Sequence, residues 1–189
     1  MKIMVLDNYD SFTYNLVHLL KELTGGPVDV HRNDEIDMEN ISKYDKIIIS
    51  PGPGVTGQAG ITKNMISHFA PSKSILGVCL GCQAIAEVFG GNLINLDKVY
   101  HGVETNINVL DESDRIFRDI PVSFTAGRYH SWIVSEENLP SDLKITAKDD
   151  DGMIMALTHL AYDVKGVQFH PESVLTKHGK KILLNWLNH

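Results

Sequence analysis

The chain has only two cysteines, Cys79 and Cys82, three positions apart. A bridge between them would close no long loop, so the sequence lacks the disulfide framework that staples small secreted domains. They read as thiols in a reducing cytoplasm. Long apolar runs are missing as well, since nothing approaches the ~20 residues that a membrane span requires. The opening run Ile3 to Leu6 meets Asp7 at once and reads as a buried first strand, not a signal peptide. Basic charge is scarce: 17 Lys and Arg stand against 24 Asp and Glu, a net charge of −7, with no local cluster to offset it. Neither nucleic acid nor a membrane is expected as a partner. Ser50-Pro51-Gly52-Pro53-Gly54 lacks the Gly-Lys-Ser/Thr ending of a phosphate loop, and the sequence calls for no cofactor and no metal ion.

At 189 residues the chain has the length of one domain, 1–189, with a sizeable core. Its first half alternates short β-branched runs with helical spacing. Strands are predicted at Lys2 to Leu6, Val28 to His31, Lys46 to Ser50 and Ser74 to Val78, and helices at Phe12 to Leu23, Ile61 to Phe69 and Gly81 to Phe89. Beyond Gly90-Gly91 come strands near Asn92 to Leu96, Glu104 to Leu110, His130 to Val134, Leu143 to Lys148, Met153 to Thr158 and Val164 to Phe169, several of them antiparallel. A closing amphipathic helix is predicted at Lys177 to Asn188. The expected class is α/β, a mostly parallel central sheet flanked by helices with additional antiparallel strands in the C-terminal half. In such sheets ligands collect beyond the carboxyl ends of the strands, which places the functional loops after Leu6, Ser50 and Val78.

Gly77-Val78-Cys79-Leu80-Gly81 stands where a buried strand turns into a helix, with glycine on both sides of the cysteine. This is the pattern of a nucleophile elbow with sulfur in place of oxygen. The helix would point its positive end at Cys79, and the N–H of Leu80 is placed to bond an oxyanion. A cysteine nucleophile needs a base. Gly166-Val167-Gln168-Phe169-His170-Pro171-Glu172 supplies a candidate, because Pro171 holds the backbone extended and sets Glu172 on the same side as His170. Glu172 can then orient one ring nitrogen while the other faces the thiol. In the 50–54 loop, Gly52 is the candidate second oxyanion donor. Two other readings stay open on the residues alone: a thiol redox protein built on Cys79 and Cys82, and a flavodoxin-like binding module without catalysis.

The run GVCLGCQAIAEVFGG from Gly77 to Gly91, with SPGPG before it and GVQFHPES after it, resembles the class I glutamine amidotransferases over essentially the whole chain. The segments Asp7 to Asn15 and Arg128 to Ser131 resemble the branch of that family that serves chorismate-using synthases, those making anthranilate or aminodeoxychorismate. The resemblance implies a flavodoxin-like sheet and a triad of Cys79, His170 and Glu172. It also implies a glutamine site lined by Gly52, Pro53 and Gly54, with Gln83 at the substrate's amino-acid end and Ser131 and Trp132 contacting it through backbone groups. The substrate implied is glutamine, and the partner a separate chorismate-using subunit that takes up the ammonia, in a heterodimer or heterotetramer. Two positions depart from the family pattern: Cys82 stands where relatives usually have His, and Trp132 where they have Leu. The segment His101 to Thr105 lacks the Lys that often follows His-Gly.

Overall fold

The computed structural model describes residues 1–189. Four strand and helix units open the chain: β1 (Ile3–Asp7) with α1 (Thr13–Thr24), β2 (Val28–Arg32) with the short α2 (Met38–Ile41), β3 (Lys46–Ile49) with α3 (Thr62–Phe69), and β4 (Ser74–Val78) with α4 (Leu80–Val88). There follow β5 (Leu93–Asn95), β6 (Val103–Val109), β7 (Ser123–Arg128), β8 (Trp132–Val134), β9 (Leu143–Asp149), β10 (Ile154–His159) and β11 (Val164–Val167), and α5 (Gly179–Leu187) closes the chain. One sheet runs β2-β1-β3-β4-β11-β10-β9-β6-β7. Its first five strands are parallel, in the strand order of flavodoxin-like folds, and the rest are antiparallel. No helix is long and apolar enough to cross a membrane.

The inner parallel strands β1, β3 and β4 are mostly apolar because both of their faces are covered, whereas β2 at the edge carries Asp29, His31 and Arg32. Ile3, Val5, Ile48, Leu76 and Val78 pack on the side of α1 and α5, while Met4, Leu6, Ile47, Ile49 and Ile75 pack on the side of α3 and α4. Gly25 ends α1 in the left-handed region at φ 63°, its N–H on the Lys21 carbonyl. At the other end of the chain, Lys46 on β3 pins α5. Its Nζ donates to Ser74 Oγ at 3.0 Å and to the Trp186 and His189 carbonyls at 3.0 and 3.1 Å, beneath the fully buried Trp186 ring.

Three elements differ from the sequence expectation. β7 was not foreseen, because Ser-Phe-Thr-Ala-Gly-Arg carries only one large apolar residue; its strand state comes from pairing along the length of β6. The one-turn α2 is too short to leave a periodic signal. The strand expected from His130 begins only at Trp132 and joins β5 in a separate two-stranded sheet, since the His130 and Ser131 carbonyls accept from Tyr100 and Leu96 instead.

Candidate active site

Val78 ends β4 and Leu80 opens α4, so Cys79 is the whole connection between strand and helix. It sits at φ 52°, ψ −102°, a conformation costing a non-glycine residue roughly 1–3 kcal/mol. The ends of the turn hold it there. Cys79 N–H extends the ladder to the Val167 carbonyl at 2.8 Å, and the Cys79 carbonyl accepts the first helical bond, from Gln83 N–H, at 3.1 Å. The flanking glycines are required by contact, not by backbone angle. A Cβ on Gly77 would lie 2.4 Å from the Gly81 backbone, and one on Gly81 would lie 2.7 Å from the Ile49 carbonyl oxygen.

His170 follows β11, the strand paired with β4, so the sheet itself brings base and thiol together. Its N–H donates to the Gly127 carbonyl at 3.0 Å and its carbonyl accepts from Thr176 Oγ1 at 2.5 Å. The ring packs against Phe12 and Tyr129. Nδ1 lies 2.7 Å from Glu172 Oε1, and since a carboxylate only accepts, Nδ1 carries the proton. Nε2 is buried with no hydrogen-bond partner. Burial opposes the charged ring, but the facing Cys79 sulfur and the Glu172 carboxylate outweigh it and hold the imidazole up at about 10. The ring therefore keeps both protons at neutral pH. No strict Nε2 to Sγ hydrogen bond forms.

The loop after β3 forms the opposite wall. Asn8, in the loop after β1, clamps it: its N–H donates to Ser50 Oγ at 2.8 Å and its Nδ2 to the Ser50 carbonyl at 2.9 Å, while Asn33 and Thr62 donate to its Oδ1. Gly52 rests directly on Asn8, where a Cβ would meet the Asn8 Cβ at 2.6 Å. The N–H groups of Gly52 and Leu80 donate no hydrogen bond inside the chain. That leaves both free for an oxyanion. A cleft of about 200 Å³ opens between these parts, and its walls include Gly52, Pro53, Gly54, Cys79, Leu80, Gln83, Ser131 and Trp132. The loops after Leu6, Ser50 and Val78 thus meet at one edge of the sheet, with Asn8 as the bracing member.

Of the site residues expected from the sequence, Gly52, Pro53, Gly54, Cys79, Leu80, Gln83, Ser131 and Trp132 line this cleft, while His170 and Glu172 do not border it and Cys82 packs elsewhere. Two details were not foreseen. The Trp132 carbonyl is engaged by Gln83 Nε2 at 2.7 Å and the Ser131 carbonyl by Leu96 N–H at 2.7 Å. Arg128, fully buried, pairs with Asp149 at 2.5 Å, stacks on Tyr100 and donates to His130 Nε2, which fixes the 128–132 segment. Burial and the Arg128 charge push His130 down to about 3, so it is neutral. The signal for this brace was present in Arg128 to Ser131, but no local pattern ties Arg128 to a residue 21 positions away.

Cys82 has a different environment. Its sulfur is wholly buried among residues of the α3 and α4 face, where a Cβ on Gly166 would meet it at 2.7 Å, whereas Cys79 packs with the other face. Burial, with Cys79 adding to it, pushes the Cys82 thiol far up. Cys82 therefore offers no accessible, acidic thiol, and its surroundings are those of a buried core cysteine. That arrangement counts against the thiol redox reading.

The model of the family described as glutamine amidotransferase class-I matches residues 4–189. The chain belongs to the class I glutamine amidotransferases. This amidotransferase is 45% identical over 187 residues to the aminodeoxychorismate/anthranilate synthase component 2 of Bacillus subtilis, covering 98% of this chain and 95% of that one. It is 45% identical over 190 residues to the bifunctional protein TrpGD of Thermotoga maritima, covering 99% of this chain but only 32% of that longer protein. Among solved structures, a glutamine amidotransferase from Thermotoga maritima superposes with a TM-score of 0.84 over 100% of this chain and 96% of that chain. At 13% identity it shows the fold alone. The binding module without catalysis, left open by the residues, is set aside by membership of this family.

Proposed function

We propose that this amidotransferase is the glutamine-hydrolysing component of an anthranilate synthase and that Cys79, His170 and Glu172 are its catalytic triad. The reading rests on one observation above the others: a buried His170 fixed by Glu172 through Nδ1, with Nε2 unpartnered, beside a strained cysteine at a strand-to-helix turn. The Cys79 thiolate attacks the side-chain amide carbon of glutamine, and the Gly52 and Leu80 N–H groups receive the oxyanion. His170 gives its Nε2 proton to the departing nitrogen, and ammonia leaves a γ-glutamyl thioester. His170, now neutral, takes a proton from water as that water attacks the thioester. Collapse expels the thiolate and releases glutamate.

Gln83 would hold the amino-acid end of the substrate through Oε1, since both hydrogens of its Nε2 are already used. Pro53 and Gly54 would line the same pocket, with Ser131 and Trp132 contributing N–H groups. Ammonia would pass to a separate chorismate-using subunit that aminates chorismate and eliminates pyruvate, in a heterodimer or heterotetramer. The Bacillus subtilis relative carries both names, so a partner forming aminodeoxychorismate is the second reading. A free nucleophilic thiol suits a reducing cytoplasm.

A glutamine-like diazo-ketone should label Cys79 and spare Cys82. Peptide mapping reads this directly, and label placed mainly on Cys82 would overturn the assigned nucleophile. Glu172→Ala should lower the kcat for glutamate release by roughly 10²–10³-fold with little change in KM, because Glu172 orients the base without transferring a proton. A rise in KM at unchanged kcat would instead make Glu172 a substrate-binding group.

A further inference from the structure

Gln168 stands outside the triad and has no exposed surface, yet its side chain reaches the nucleophile. Its Nε2 lies 3.5 Å from Cys79 Sγ. Its Oε1 accepts from Gln83 Nε2 at 3.2 Å, and that same nitrogen donates to the Trp132 carbonyl at 2.7 Å. The direction of the whole chain of bonds is set at one end. A backbone carbonyl only accepts, so the Gln83 atom facing it must be the amide nitrogen. The second hydrogen of that nitrogen points to Gln168, which must present its oxygen there and its nitrogen to the sulfur. Turning the Gln168 amide over would oppose two N–H groups at one end and set oxygen against sulfur at the other.

We propose that the chain of bonds from the Trp132 carbonyl through Gln83 to Gln168 holds a hydrogen-bond donor on the Cys79 sulfur and keeps the nucleophile in its thiolate form. The inference rests on Cys79 being the nucleophile, as proposed above. Gln168 touches the reacting atom and is a catalytic residue in that sense, while Gln83 positions it. A donor aimed at an anion in a buried site stabilises it more than a neutral acceptor, and it costs no reorganisation when the thiolate re-forms on thioester breakdown. His170, hydrogen-bonded to Glu172, is the cationic neighbour of the sulfur; Cys82 of α4 packs with the opposite face of the sheet, and neutral His130 lines the same cleft, as does the Tyr129 ring. Of these only Gln168 is a neutral donor whose polarity is locked by backbone.

The test is the pH dependence of Cys79 alkylation by chloroacetamide, followed by peptide mapping on the full chain. In Gln168→Leu the midpoint of the profile should move up by about one unit, and alkylation below it should slow roughly tenfold, the low end for a hydrogen bond to a charged group because sulfur accepts weakly. The kcat for glutamate release should fall by a similar factor while KM stays near its parent value. A purely structural role for Gln168 would lower the melting temperature and leave that midpoint in place. Gln168→Glu keeps the shape but turns an acceptor toward the sulfur, so it should move the midpoint further up and serves if the leucine variant does not fold. Unmoved midpoints in the folded variants, with label still on Cys79, would overturn the relay alone. Label on another residue in the parent would overturn the nucleophile assignment beneath it.

Discussion

Replacing Cys79 by serine should abolish glutamine-dependent product formation by the complex with its synthase, a loss on the order of 10⁴-fold or more in kcat, and leave synthesis from added ammonium salts intact. The substitution is nearly isosteric and Cys79 is only 5% exposed, so the elbow, the fold and the partner surface are preserved. What changes is acidity. The ion pair in which the sulfur helps His170 hold both protons cannot form with an alcohol, which remains protonated. The oxyanion donors and substrate contacts survive, so residual hydrolysis should track them, and His170→Ala on top of Cys79→Ser should cost little more. Steady-state assays with glutamine and with ammonium salts on the reconstituted complex separate the two half-reactions. Loss of both, with the complex still assembled, would mean that Cys79 also serves the synthase chemistry.

Gly179→Ala should be the most damaging change outside the catalytic groups. Gly179 is the first residue of α5, and a Cβ there would lie 1.8 Å from the Pro171 carbonyl oxygen and 2.6 Å from its carbon. Both are backbone atoms with no rotamer to escape into. Pro171 joins His170 to Glu172, so the strain must either bend that tripeptide or lift α5 with its buried Ile182, Leu183, Trp186 and Leu187. The expected cost is roughly 3 kcal/mol or more of stability. Activity in the folded fraction should drop by about 10²-fold, the scale of a 1 Å misplacement of a base. Gly57→Ala is the control: nothing lies within 4 Å of the added Cβ, and both stability and activity should be unchanged. Thermal melts and glutamate release on the two variants read the contrast. Parent-like behaviour of Gly179→Ala would show that α5 can shift without disturbing His170.

The parallel half of the sheet was legible because strands covered on both faces write themselves as unbroken apolar runs, such as Ile47-Ile48-Ile49. The elbow and the His-Pro-Glu run were legible because each concentrates its chemistry within a few consecutive residues. β7 was not, since Phe124 and Ala126 are too few apolar signals and its pairing with β6 is nonlocal. The bracing of Gly52 by Asn8 joins positions 44 apart, and the hydrogen bond from Gln168 to Cys79 spans 89. Gly179 reads in sequence as an ordinary residue near a helix start; only the approach of Pro171 reveals why no side chain fits there. Contacts between loops at the carboxyl edge of a sheet leave no periodic trace, and those contacts are what turn separate motifs into a cleft.

The most direct test of Cys79 as the nucleophile is mass spectrometry of the protein quenched in acid during turnover of glutamine with its synthase present. The Cys79 peptide should gain one γ-glutamyl group, lost on treatment with hydroxylamine as a thioester requires. Glutamate release at the parent rate from a protein that never carries that group on Cys79, or that carries it elsewhere, would contradict the assignment.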